Sequence, residues 1–120
     1  MANILLVEDE DQLRSLLKEV LESEGHAVWD AENGKTATSL LASFPIDLII
    51  TDLIMPEKEG LELILEIRRS HPEIKVIAMS GGGRSNPQDY LEMAKRFGAK
   101  AVLSKPFTNE AIIDAVNNLK

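Results

Sequence analysis

The fold is decided near the N-terminus by the stretch ILLVED, residues 4–9. Four consecutive apolar residues bounded by charge are typical of a β-strand that is buried on both faces. The next apolar residues recur at helical spacing from Leu13 to Leu21, and Gly25 stands where such a helix would end. The stretch therefore predicts a buried strand followed by a helix, with two carboxylates at their junction.

The same pair of patterns recurs along the whole chain. The predicted strands cover residues 4–7, 27–29, 46–51, 74–79 and 101–103. The predicted helices cover residues 13–21, 34–44, 61–69, 87–97 and 112–119. Five strands alternating with five helices predict an α/β fold, a parallel sheet with helices on both faces. In such sheets, ligand sites lie outside the carboxyl ends of the strands.

Length and composition limit the classes of function. The 120 residues predict one domain, residues 1–120, and the absence of cysteine excludes disulfides and thiolate chemistry. A net charge of −7, from 20 acidic and 13 basic side chains, disfavours a direct nucleic-acid partner. We find no export signal and no apolar stretch that could span a membrane, so we expect a cytoplasmic protein.

Side chains capable of chemistry follow four of the five predicted strands. They are Glu8 and Asp9 after the first strand, Asp52 after the third, Ser80 after the fourth and Lys105 near the end of the fifth. Because the carboxyl ends of parallel strands share one rim of the sheet, we expect these side chains to converge.

Crowded carboxylates need a positive charge between them. Two like charges about 4 Å apart repel by about 4 kcal/mol at an effective dielectric constant of about 20. Oxygen ligands without histidine or cysteine favour Mg²⁺ (or Mn²⁺), which completes its shell with water and a phosphate oxygen. Lys105 and Ser80 suit the remaining phosphoryl oxygens. We therefore predict that Asp52, at the end of the most apolar strand, is a nucleophile that forms an acyl phosphate.

Taken in order, these residues resemble the receiver domain of two-component response regulators, of the single-domain, chemotaxis-regulator type. The resemblance rests on residues 4–9, the run 52–56 with Gly60, Ser80, and the run 105–107. It implies a flavodoxin-like, three-layer α/β/α fold with strand order 2-1-3-4-5. It also implies phosphoryl transfer from a sensor histidine kinase or a histidine phosphotransfer protein.

The family pattern assigns roles to the acidic residues. Asp52 corresponds to the phosphoacceptor, Asp9 to the main metal carboxylate, and Glu8 to a second carboxylate that acts through water. The backbone carbonyl of Ile54 corresponds to a further metal ligand, and Asp52 itself completes the metal site.

The family pattern also covers the phosphoryl-binding side and the output surface. Ser80 corresponds to the switch hydroxyl and Lys105 to the phosphoryl-binding lysine, with a cis peptide between Lys105 and Pro106. Signals would leave through the fourth helix, fifth strand and fifth helix, with Tyr90 and Val102 as candidate contacts for a downstream protein. Val102 stands where the family often has an aromatic switch. We expect the chain to be a monomer or a weak, phosphorylation-dependent dimer.

Other readings remain open at this point. The start at Met1 and the lack of a trailing linker favour a stand-alone domain over one excised from a longer protein. A Mg²⁺-dependent phosphatase with an aspartyl-phosphate intermediate would need a second aspartate where Ile54 stands. An interaction-only pseudo-receiver would not need the intact set of Asp52, Lys105 and their partners. Neither histidine, His26 or His71, has a partner cluster nearby, so we expect both at the surface.

We predict slow self-dephosphorylation. In the family, the positions two residues after the phosphoacceptor and two after the switch hydroxyl contact the attacking water. Here they are Ile54 and Gly82, whose side chains cannot form a hydrogen bond with water. The half-life of the phosphorylated, purified protein tests this, and a half-life of seconds would contradict it.

Overall fold

A computed structural model describes residues 2–53, 60–80, 92 and 95–119 of the chain. Two residues with predicted roles, Ile54 and Tyr90, lie outside the described residues, and so does Gly82. The predicted helix over residues 87–97 falls largely outside them as well, although residues 92, 95 and 96 are helical.

The sheet has the predicted topology. Its strands are β1 (Asn3–Val7), β2 (Ala27–Ala31), β3 (Leu48–Asp52), β4 (Lys75–Ser80) and β5 (Ala101–Ser104). They are all parallel, in the order β2-β1-β3-β4-β5. The predicted doubly wound, flavodoxin-like sheet is therefore confirmed, and β1 and β3 are adjacent at its centre.

Helices pack on both faces of this sheet. They are α1 (Asp11–Ser23), α2 (Gly34–Ser43), α3 (Gly60–Ser70) and α4 (Asn109–Leu119). Gly25 follows α1 with φ of 92°, the left-handed conformation that commonly ends a helix. Thr108 accepts a hydrogen bond from the Ala111 N–H at 3.0 Å and so caps α4. Within the described part of the chain, no helix is long and apolar enough to cross a membrane.

Alternate residues of each central strand enter two separate hydrophobic cores. Leu5 and Val7 of β1 pack with the apolar sides of α2 and α3, whereas Ile4 and Leu6 pack with those of α1 and α4. All four side chains are fully buried, which explains why β1 is a continuous apolar run rather than an alternating one. The central strands are thereby held from both sides, and so are the residues at their ends.

Two of the differences between the expectations and the structure have a clear physical cause. β2 continues beyond Trp29 to Ala31, because the Asp30 carboxylate that ends the apolar run is paired with Arg14 and Lys18. His26 is buried, with 6% of its surface exposed, and its Nδ1 accepts a hydrogen bond from the Ala2 N–H at 3.1 Å. The expectation of a surface position for His26 was therefore wrong: a backbone donor from the start of the chain satisfies the ring.

The first residue of α3 makes a close backbone contact with the end of β3. A Cβ atom added to Gly60 would lie 2.1 Å from the Asp52 carbonyl oxygen and 2.6 Å from the Leu53 Cα. The Gly60 N–H also donates to the Leu53 carbonyl at 2.9 Å. Only glycine fits this approach, which fixes the backbone that carries Asp52.

We expect Gly60→Ala to lower the free energy of unfolding by about 2–3 kcal/mol, because the three nearest atoms that a methyl group would meet all belong to the backbone. Urea unfolding measures the change. Ser70→Ala, at an exposed position of the same helix, is the control and should change it by less than about 0.5 kcal/mol. Equal effects of the two substitutions would contradict the close contact.

Candidate functional site

The acidic residues meet where the two central strands end. Val7 of β1 pairs with Thr51 of β3, so the residues that follow them, Glu8 and Asp52, emerge side by side. One carboxylate oxygen from each of Glu8, Asp9 and Asp52 lies within 4.8 Å of the others. Glu8 is fully buried and Asp52 is 8% exposed, whereas Asp9 is exposed. The structure thus brings together the three carboxylates at one rim.

Lys105 reaches this cluster from the far side of β4. Its Nζ donates to Glu8 Oε1 at 2.7 Å and to Asp52 Oδ2 at 3.2 Å. Its backbone N–H donates to the Ser80 carbonyl at 2.8 Å, which ties the end of β5 to the end of β4. The peptide bond between Lys105 and Pro106 is cis. One ammonium group therefore bridges two buried carboxylates.

Burial and charge shift the ionisation of all three partners. Burial raises the pKa of Glu8 from 4.5 to about 7, although the hydrogen bond from Lys105 opposes the shift. Burial likewise raises the pKa of Asp52, against the attraction of Lys105. Burial alone would lower the pKa of Lys105, but its bonds to Glu8 and the charge of Asp52 outweigh burial and raise it. The cluster is thus short of positive charge.

This donor set fits a divalent cation. Three ionised carboxylates face one ammonium group, which leaves an excess of two negative charges when all are ionised. The acidic ligands that the structure gathers here are all oxygen donors, as Mg²⁺ or Mn²⁺ prefers. Glu8, Asp9 and Asp52 are the residues that would hold such an ion.

The other predicted site residues take different positions. Ser80 ends β4 beside the cluster and is 2% exposed. Val102 lies in β5, where it is partly buried and packs against the core that includes Val7. Val102 therefore offers only part of its side chain to a partner. Ile54 and Tyr90 belong to the residues that the structure leaves undescribed.

Two residues beside the site were missed in the sequence. Arg14 donates from Nη1 to the Glu8 carbonyl at 2.8 Å and from Nε to Asp30 at 3.1 Å. A basic residue so near the positive end of a helix is unfavourable unless it has acidic or carbonyl partners. This position was the one feature of the sequence that could have indicated a role for Arg14. No local sequence pattern connects Arg14, which lies on α1, with Asp30, which lies on β2.

The raised pKa of Glu8 predicts a pH dependence of stability. Between its ordinary value of 4.5 and about 7, Glu8 is protonated in the folded chain and ionised in the unfolded chain. The free energy of unfolding in EDTA should therefore fall by on the order of 2–3 kcal/mol as pH rises through this window. Asp52 contributes in the same direction. Urea unfolding at a series of pH values measures the fall.

Glu8→Gln is the matched control, since it keeps the shape of the side chain and removes its titration. We expect the pH dependence to be much flatter in this variant. If the two proteins show parallel profiles, the shift does not belong to Glu8.

Comparison with known proteins gives a consistent result. Residues 4–117 match the family model of the response regulator receiver domain. Chemotaxis protein CheY of Halobacterium salinarum is 30% identical over 116 residues, a match that covers 97% of this chain and 94% of that protein. Sporulation initiation phosphotransferase F of Bacillus subtilis is 33% identical over 94% of this chain and 89% of its own length. Some other relatives are longer, and the chain spans 12–47% of their length.

Solved structures agree with the sequence relatives. Response regulator protein TrrA of Thermotoga maritima, solved in complex with Mg²⁺-BeF, is 32% identical and superimposes with a TM-score of 0.87 over 100% of both chains. Receiver domains accept phosphate from histidine kinases or phosphotransfer proteins and bind Mg²⁺ at an acidic cluster. By its family match, its relatives and its fold, the chain belongs to the response regulator receiver family.

Proposed function

We propose that this chain is a signalling switch that takes a phosphoryl group onto Asp52. The donor is the phosphohistidine of a sensor histidine kinase or of a histidine phosphotransfer protein. The observation that carries the proposal is the Lys105 ammonium group, held 2.7 Å from Glu8 and 3.2 Å from Asp52. An ammonium group at this place can exchange a hydrogen bond with a carboxylate for one with an incoming phosphoryl group.

Asp52 is suited to act as the nucleophile. It ends the fully buried strand β3, and the close approach of Gly60 fixes its backbone. Its carboxylate is almost enclosed, so water competes little for it. The hydroxyl of Thr51 donates to the Asp52 carbonyl at 2.9 Å, which adds a further restraint. A nucleophile held in this way needs little reorganisation before it attacks.

The transfer exchanges one bond to phosphorus for another. An Asp52 carboxylate oxygen forms the P–O bond while the P–N bond to the donor imidazole breaks, and the imidazole nitrogen keeps the electron pair. Lys105 can donate a hydrogen bond to a phosphoryl oxygen, and the Ser80 hydroxyl, on the next strand, can donate another. Both groups favour the phosphorylated form.

Mg²⁺ is the cation that we propose for the acidic cluster, with Mn²⁺ as a substitute. Glu8, Asp9 and Asp52 would hold it, and the Ile54 carbonyl is a further ligand proposed from the sequence. When bound, the ion neutralises charge that the carboxylates and the phosphoryl oxygens share. The complex of the relative TrrA with Mg²⁺-BeF supports this choice.

We propose that phosphorylation shifts the chain between two conformations. The response would reach a downstream protein through the face formed by the helix predicted over residues 87–97, β5 and α4. Val102 is too small and too enclosed for the rotation that an aromatic side chain could make there. We further propose that the chain is a phosphoacceptor with at most slow self-dephosphorylation, and no enzyme acting on other substrates.

Acetyl phosphate with Mg²⁺ tests this function directly. We expect a stable mass increase of about 80 Da, one phosphoryl group, in the intact protein. Asp52→Asn should abolish the adduct because the amide cannot act as the nucleophile. Lys105→Ala, which removes the ammonium group but keeps the nucleophile, should reduce the rate of its formation by at least tenfold. Intact-protein mass spectrometry measures all three.

Each alternative gives another result in the same experiment. A phosphatase would consume acetyl phosphate without accumulating the adduct. An interaction-only module would do neither. An adduct that persists in Asp52→Asn would show that another residue accepts the phosphoryl group.

A further inference from the structure

We propose that Arg14 is a positioning residue for the metal site: it holds the turn between β1 and α1 so that the carboxylates of Glu8 and Asp9 can bind Mg²⁺. This inference rests on the proposed function. Arg14 does not touch the place of the ion; it acts through the backbone of Glu8, whose carbonyl it binds at 2.8 Å.

All three nitrogens of the Arg14 guanidinium group are used. Nη1 donates to the Glu8 carbonyl, Nε donates to Asp30 at 3.1 Å, and Nη2 donates to Asp11 at 2.6 Å. These partners come from the end of β1, from β2 and from the first turn of α1. The Arg14 side chain is only 15% exposed and that of Asp30 is 32% exposed, so water screens this pair less than it screens the contact with Asp11, which is 79% exposed. One planar group thus joins the three elements that define the turn.

Among the residues that the structure describes, few others restrain this turn. Glu10, the residue at the start of α1, makes no side-chain capping hydrogen bond. Its backbone N–H donates to Glu8 Oε2 at 3.1 Å, a carboxylate oxygen that an ion would compete for. The Glu8 N–H donates to the Ala31 carbonyl at 3.0 Å, so β2 holds one side of the residue. Arg14 holds the other side through the backbone carbonyl and does not itself occupy the carboxylate oxygens that an ion would bind.

The positive charge of Arg14, considered alone, would weaken Mg²⁺ binding rather than support it. Residues 1–32 carry nine acidic side chains and two basic ones, Arg14 and Lys18. Both basic side chains bind Asp30. Lys18 does so at 3.2 Å and, unlike Arg14, forms no hydrogen bond with Glu8. A positive charge beside a divalent cation repels it, so removing that charge should strengthen Mg²⁺ binding. If Arg14 positions the metal ligands, its removal should instead weaken Mg²⁺ binding. The sign of the change in Mg²⁺ affinity therefore decides between repulsion and positioning.

The experiment measures the dissociation constant of Mg²⁺ by isothermal titration calorimetry for the wild-type chain, R14K, R14A and K18A. Lysine keeps the charge, but its donors share one nitrogen and cannot reproduce the planar, spread set of N–H groups by which the guanidinium reaches three elements. We expect R14K and R14A to bind Mg²⁺ about tenfold more weakly or worse, as when other supports of metal ligands are removed. K18A should stay within about twofold of the wild type, since it removes a charge near Asp30 and leaves the Glu8 carbonyl contact intact.

The free energy of unfolding in EDTA is measured on the same four proteins. If Arg14 were purely structural, its replacement would lower the free energy of unfolding and leave the Mg²⁺ affinity of the folded chain unchanged. Wild-type affinity or tighter binding in R14K overturns the inference, whatever its stability, and R14K decides the question if R14A does not fold. If the wild-type chain itself binds no Mg²⁺, the metal site of the proposed function fails and takes this inference with it.

Discussion

One ammonium group between two buried carboxylates is the contact on which this site depends. Lys105 is 20% exposed and Glu8 1%, so their attraction is screened little by water. Burial removes water from the carboxylates and so disfavours their charged form. For this reason the pKa of Glu8 rises to about 7 despite the lysine. The cluster still carries more negative than positive charge. A divalent cation would neutralise this excess, and under the proposed function the phosphoryl group would accept hydrogen bonds from the lysine.

The sheet and most of the site followed from short-range patterns. Apolar runs marked β1 and β3 because both faces of these strands are covered, and the rule for carboxyl ends then brought Glu8, Asp52 and Lys105 to one rim. Patterns failed where a polar residue is satisfied by a distant partner. His26 looks like a surface residue until the Ala2 N–H is placed beside its ring.

Arg14 was missed for the same reason. In the sequence it is one more charged residue on a helix, and such residues usually lie on solvated faces. Its partner Asp30 lies on another element, and the Glu8 carbonyl is a backbone group that every residue has. Spacing can therefore identify carboxylates that could hold an ion, but the contacts that support them become visible only when the strands are paired. The close approach of Gly60 to the backbone of Asp52 and Leu53 is a second support of this kind.

The separation of Lys105 from its partners along the chain has a consequence for biosynthesis. The ammonium group lies 97 positions from Glu8 and 53 from Asp52. While a ribosome is still adding β4, the emerging chain already holds both carboxylates but lacks their counter-charge. Since β5 must also pair with β4 to deliver the lysine, the site is complete only once β5 is present and paired. A chain that ended before β5 would keep both carboxylates but lack the ammonium group that bridges them.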